Sequence, residues 1–328
     1  MNQKVLIILG LIVVAMAALV ALLSMDGTTE EEPTLLLPGL KQKLTDIDRV
    51  EIETASGSVT LTARDGDWLV DQKDNYRAKR KELSEMVSEL ASAKLEEKKT
   101  SRSENYPRLG VSSLDEEDSE ATRVAFHAGE QVFTVLLGNS SQGRDGRFAR
   151  IENQVWLTDE VSIEKDAAGW LEPVIIDVDA EEIARVELGT LVFERGEEGD
   201  FEFLQLPDDR ELKYPSITNE PARALTTVRL EDVARHDPER WEGANQAKFF
   251  TKDQTQVSVQ AIQRGEGNWL HFNVGESNVE ESSVESESTR FASDLSAWDY
   301  RVSSYIYDDF VKSLDDLLAE EEEETEVE

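Results

Sequence analysis

Leu90–Tyr106 reads LASAKLEEKKTSRSENY and returns downstream, without a gap, as Leu225–Trp241, LTTVRLEDVARHDPERW. Leu95 aligns with Leu230, Glu96 with Glu231, Glu97 with Asp232, Glu104 with Glu239 and Tyr106 with Trp241. Upstream, IDRVEI at 47–52 recurs as IARVEL at 183–188, and Gly66-Asp67-Trp68 as Gly199-Asp200-Phe201. Order and spacing persist together, which is how an internal repeat announces itself. The expected architecture is therefore α+β, with two tandem β-rich units at 46–175 and 176–318.

Within the first unit, Val50–Glu53, Ser58–Ala63 and Trp68–Asp71 alternate with the period of a strand, and Asp65-Gly66 supplies a hairpin turn. From Lys79 the period changes. Leu83, Met86, Val87, Leu90 and Lys94 form one stripe of a helix. Alternation resumes at Thr122–Ala128, Gln131–Leu137, Arg147–Ile151 and Gln154–Thr158. The second unit repeats the plan with strands at Ala184–Leu188, Leu191–Arg195 and Phe201–Leu206. A helix is then expected from Thr218 or Asn219, with Pro221 in its first turn and a stripe of Ala222, Leu225 and Val228. Strands at Ala247–Thr251, Thr255–Ile262, Trp269–Val274 and Ala297–Ser303 follow. Asp308 is the expected cap of a closing helix with the stripe Val311, Leu314 and Leu318. Residues 276–289, ESNVEESSVESEST, and the tail 319–328 are acidic and poor in apolar side chains. They read as a solvated insertion and a solvated tail, because neither buries enough surface to offset the entropy of ordering.

The N-terminus is of another kind. After residues 1–4, expected on the cytoplasmic side, Val5–Leu23 is an unbroken apolar run, long enough for one helix across roughly 30 Å of hydrocarbon. Residues 24–45 form a linker whose first charges are acidic, so the charge balance places the bulk outside, in the periplasm of a bacterial inner-membrane protein. A cleaved signal peptide competes with the anchor, since Ala15-Met16-Ala17 is an A-x-A-like site, but the apolar run continues past it. Leu35–Leu40, LLLPGL, is an apolar patch suited to dock on the bilayer interface or on the first unit.

Composition excludes several classes of function. A net charge of −36 over 328 residues excludes a phosphate-rich partner such as nucleic acid, and suits solubility in salt or a cationic partner. With no Cys there is no disulfide, thiolate nucleophile or Cys-held metal. His127, His236 and His271 stand outside any ligand-spaced pair and read as structural or surface residues. Gly138-Asn139-Ser140-Ser141-Gln142-Gly143 has the glycines of a phosphate loop, but Arg144-Asp145 stands where Lys and Ser/Thr are required. Asp177-Val178-Asp179 opens like a calcium loop, with Glu182 where the sharp turn needs Gly. No Ser lies in a G-x-S-x-G elbow. With 70 carboxylates, close acid pairs arise by chance and are no sign of a glycosidase. Trp68, Tyr106, Trp156, Trp170, Trp241, Trp269 and Trp298 read as core, since Trp68 and Tyr106 have aromatic counterparts in Phe201 and Trp241. Catalytic, cofactor-binding and metal-ligating residues are expected to be none, with no cofactor and no enzyme activity.

Five segments together bear a family likeness: 35–52 (LLLPGLKQKLTDIDRVEI), 65–70 (DGDWLV), 99–111 (KTSRSENYPRLGV), 136–157 (LLGNSSQGRDGRFARIENQVWL) and 169–188 (GWLEPVIIDVDAEEIARVEL). In this combination the chain resembles the domain of unknown function 4340 family. The resemblance implies one N-terminal membrane segment, a β-rich exterior, and an accessory or scaffold role beside an ABC-2 type permease and auxiliary membrane proteins. It supplies no catalytic residues to carry over, and the acidic insertion and tail depart from its pattern. The alternative function is an envelope binding module that takes a cation or polymer on its acidic surface.

Overall fold

The computed structural model describes residues 34–116, 118–275 and 295–319. The expected membrane segment, the acidic insertion 276–289 and residues 320–328 of the tail lie outside them. Among the described residues, no helix is long and apolar enough to cross a membrane.

The fold is mixed α+β, with two large antiparallel sheets and few helices. Nine strands make the first sheet: β1 (Ile47–Thr54), β2 (Gly57–Arg64), β3 (Asp67–Val70), β4 (Tyr76–Arg77), β5 (Leu95–Lys98), β6 (Thr122–Ala128), β7 (Gln131–Ser140), β8 (Arg147–Ile151) and β9 (Gln154–Thr158). Their spatial order is β4-β3-β2-β1-β6-β7-β8-β9-β5. The turn between β2 and β3 works because Asp65 and Gly66 both take positive φ, 55° and 93°, the geometry that matches a hairpin's twist.

A single helix, α1 (Arg80–Ser92), leaves β4 at one edge of this sheet and delivers the chain to β5 at the opposite edge. Its 13 residues span about 20 Å, whereas nine flat strands would span roughly 38 Å. The sheet therefore curls around the helix. Leu83, Met86, Val87, Leu90 and Ala91 are the buried stripe. Lys94, expected to extend that stripe, lies beyond the helix end, exposed, with its backbone N–H donated to Asp159 Oδ2 at 2.8 Å. The LLLPGL patch docks on the first sheet's core: Leu36, Leu37 and Leu40 are buried, Leu36 N–H donates to Ala93 O at 2.7 Å, and Leu95 N–H to Thr34 O at 2.8 Å.

After β10 (Val174–Ile176) come β11 (Ile183–Leu188), β12 (Leu191–Arg195) and β13 (Phe201–Phe203). The chain continues through β14 (Val228–Arg229), which pairs with β10, then β15 (Asp232–Arg235), β16 (Asn245–Thr251), β17 (Gln256–Arg264), β18 (Gly267–Val274) and β19 (Trp298–Val302). The second sheet runs β13-β12-β11-β16-β17-β18-β19-β15. That is the order β3-β2-β1-β6-β7-β8-β9-β5 of the first sheet, strand for strand. The repeated stretch holds the closing strand of each sheet, β5 on β9 and β15 on β19.

Two expected helices are corrected. Thr218–Val228 is not a helix: Pro215–Asn219 and Pro221–Arg223 are short 3-10 turns, and Val228 opens β14. Two prolines six residues apart remove backbone donors, Thr227 turns to φ 50°, and Asn219 Oδ1 accepts Phe201 N–H at 2.7 Å instead. The apolar residues Ala222, Leu225 and Val228 are nonetheless all buried. The closing helix is split into α3 (Ser304–Asp308) and α4 (Leu314–Leu317), numbered after the short α2 (Tyr106–Leu109). Asp308 ends α3 rather than capping a helix. Ser303 caps α3, and Ser313 restarts the chain as α4 through a reciprocal capping box with Asp316.

The two sheets share one continuous apolar core. Tyr76 of β4 meets Trp298 of β19 edge-on at 5.0 Å, Lys73 Nζ lies 2.7 Å from Asp232 Oδ1, and Arg235 donates to Asp74 O at 3.0 Å. Leu90 is fully buried on the stripe that holds the first sheet's curve, so Leu90→Ala is expected to cost about 2–5 kcal/mol by urea unfolding. Glu85→Ala, on the exposed face of the same helix, should leave the midpoint unmoved. Equal midpoints for the two variants would contradict this account.

Candidate functional site

Each sheet buries its main face in the shared core and carries, on the reverse face, a small cap from the end of the repeated stretch. In the first sheet the cap is the turn Ser103–Leu109, and it covers β8 and β9. Tyr106, Val111 and Val155 form a separate apolar cluster there, with the Arg150 guanidinium 4.7 Å over the Tyr106 ring and Tyr106 Oη donating to Asn153 O at 2.7 Å.

Strand register carries this cap onto the second sheet. Glu97 pairs with Leu157 and Lys98 with Trp156, while Asp232 pairs with Arg301 and Val233 with Tyr300. The aligned pairs Glu97/Asp232 and Tyr106/Trp241 thus place Asp299 where the first sheet has Val155. Across the hairpin, Arg150 faces Val155, and Leu270 faces Tyr300, so His271 takes the place of Arg150. The turn Pro238–Trp241 is the second cap.

Under that cap the chemistry changes from apolar to polar. Asp299 is fully buried. Its Oδ1 accepts the Trp241 indole N–H at 3.0 Å and lies 2.6 Å from His236 Nδ1 and 3.6 Å from His271 Nδ1. The two imidazoles stack with centroids 3.7 Å apart and planes 18° apart. His271 Nδ1 is also 3.0 Å from Trp298 O. Burial pushes the His271 imidazole below its ordinary value; the neighbouring His236 adds to this, and the Trp298 carbonyl and the Asp299 charge oppose it. Asp299 Oδ2 has no hydrogen-bond partner, and the nearest guanidinium nitrogen of Arg264 stands 3.7 Å away. Arg264 lies over Trp269 at 4.6 Å, and both line a cavity of about 630 Å³ with Arg301 and Ser303.

The other residues singled out in the sequence are engaged locally. His127 stands apart on the first sheet, 2.9 Å from Glu51 Oε2 and 3.2 Å from Arg49 Nη2. Gly138 is a strand residue of β7 pressed against the α2 turn, where an added Cβ would meet Leu109 O at 2.2 Å. Asp177 Oδ1 accepts Thr227 N–H at 2.7 Å and Asp179 Oδ1 accepts Glu181 N–H at 2.9 Å, so each carboxylate serves a nearby turn. The His236–His271–Asp299 cluster escaped sequence spacing because three strands distant in sequence assemble it. Its one sequence signal is Asp299, a charge between the buried aromatics Trp298 and Tyr300 in a strand.

The profile of the domain of unknown function (DUF4340) matches residues 68–248, from β3 into β16. The chain belongs to this family. No curated protein and no solved structure matches it. In this DUF4340 chain the matched stretch contains Tyr106, His236 and Trp241, while His271 and Asp299 lie beyond its end.

Asp299→Ala removes the acceptor shared by His236 and Trp241 and the counter-charge of Arg264. It is expected to destabilise the chain by about 3–5 kcal/mol in denaturant unfolding. Asp299→Asn, which keeps an oxygen for Trp241, should cost less. An Asp299→Ala variant as stable as wild type would show that the cluster is loosely held.

Proposed function

We propose that this DUF4340 protein is a non-catalytic accessory or scaffold protein of an ABC-type transport or envelope-assembly system. In this reading residues 5–23 anchor it once in a bacterial inner membrane, with the N-terminus cytoplasmic and the bulk periplasmic. The exterior is two tandem copies of one unit, 46–175 and 176–318, and the matching strand orders of the two sheets support that division. The partners are an ABC-2 type permease and auxiliary membrane proteins.

One observation favours a partner-docking role above others. β13 is a three-residue edge strand, and the chain leaving it exposes Leu204 (50%), Leu206 (40%) and Tyr214 (44%). The Phe201 N–H of this short strand is already taken by Asn219 Oδ1, so strand addition is not the mode; the exposed leucines and Tyr214 beside it are suited to an apolar surface of another protein. The net charge of −36 favours a second reading, an envelope module that holds a cation or polymer on its acidic surface.

Co-purification from membranes separates the two. The scaffold reading expects the permease to accompany the full-length chain, and the pair Leu204→Asp and Leu206→Asp to abolish that association while leaving the thermal melt unchanged. A chain that comes down alone and responds to calcium supports the second reading instead. Topology is tested by fusing alkaline phosphatase after Asp46: the fusion is expected to be active, and an inactive fusion beside an active cytoplasmic reporter at the same position would remove the anchor.

A further inference from the structure

The first sheet closes its reverse-face cap with Tyr106, Val111 and Val155. The same strand order in the second sheet therefore has no need of charge at this position. Yet the second sheet buries a carboxylate there, and a buried charge is commonly matched or bettered in stability by apolar residues of similar size. The polar residues call for a reason other than the fold.

We propose that His236, His271 and Asp299 form a binding site for a borderline divalent transition cation, with Zn²⁺ the best match. One donor atom from each residue falls within 4.8 Å of the other two. Zn²⁺ bound by imidazole nitrogen and carboxylate oxygen at about 2.0–2.2 Å sets its ligands roughly 3.3 Å apart. Asp299 Oδ1 lies 2.6 and 3.6 Å from the two Nδ1 atoms, so the three side chains converge without an ion. Because the Trp298 carbonyl takes the His271 Nδ1–H, Nε2 is the His271 lone pair left for a cation. Two nitrogens and one oxygen, with no thiolate, suit zinc, cobalt or nickel, whereas calcium and magnesium require oxygen ligands.

Three further features fit. Asp299 Oδ2 is buried and lacks a hydrogen-bond partner, so the carboxylate has capacity left for a ligand. Trp241 N–H holds the same carboxylate from behind at 3.0 Å, the kind of outer support that orients metal ligands. His236 is the half-buried member of the set and gives the cation its way in. Its ring has to turn out of the stack for its lone pair to reach the ion. Arg264 balances the Asp299 charge at 3.7 Å, and the cavity it lines gives it room to withdraw when a dication enters. The site is independent of the scaffold reading and differs from cation capture by the acidic surface, because it uses imidazole and lies under one cap.

The test is titration of the purified full-length chain with Zn²⁺ while magnesium, in large excess, occupies the surface carboxylates. The expected result is saturable binding of one zinc per chain, and with Co²⁺ a visible ligand-field spectrum. Zinc should shift the imidazole NMR signals of His236 and His271 and leave that of His127 in place, a readout that needs no variant. His236→Ala, at the half-buried position, should weaken binding by more than about 10-fold, the loss that even an outer-shell change produces, and His127→Ala should leave it unchanged. Non-saturable uptake, unmoved His236 and His271 signals, or zinc binding that survives His236→Ala would each overturn the proposal.

Discussion

Each sheet rests on two non-local pairings: at its middle β1 on β6, or β11 on β16, and at its edge the last meander strand on one that comes much earlier in the chain, β5 on β9, or β15 on β19. To make the edge pairing, the chain must travel from one sheet edge to the other before the intervening strands exist in sequence. In the first sheet α1 makes the crossing, and its length sets how tightly the strands curl. In the second the crossing is a looser path of 3-10 turns and the β10–β14 ribbon, so the same order is reached with a different filler. The pairings are what the two halves hold in common.

Hence the most informative part of the sequence was a stretch with no clear secondary-structure signal of its own. LEEK at Leu95–Lys98 is charged and follows a helix directly, so neither alternation nor β-propensity marks it as a strand. Its recurrence as LEDV in the second half is the better guide. Strands with a local partner, such as Thr122–Ala128, Leu191–Arg195 and Gln154–Thr158, were readable to the residue because one face is buried and the turns beside them are short. The expected helix at 218–228 failed where prolines and threonines outweighed an apolar stripe, and the closing helix failed where Ser313 restarted the chain.

The reverse faces show why the polar cluster was beyond sequence reading. Spacing rules find ligand pairs that share a helix or a turn, whereas His236, His271 and Asp299 come together only through lateral pairing of β15, β18 and β19. Core reading of the aromatics held for Tyr106 and Trp241, both buried, but burial alone does not distinguish them. Tyr106 packs on valines, and Trp241 donates its indole N–H to a buried carboxylate.

β15 is four residues long and answers to both halves of the molecule. Its backbone is laced to β19 of the second sheet, while Asp232 and Arg235, at its two ends, grip Lys73 and Asp74 of the first. His236 is the very next residue. One backbone segment of five residues therefore carries both the polar contacts between the two sheets and the imidazole that rests on Asp299.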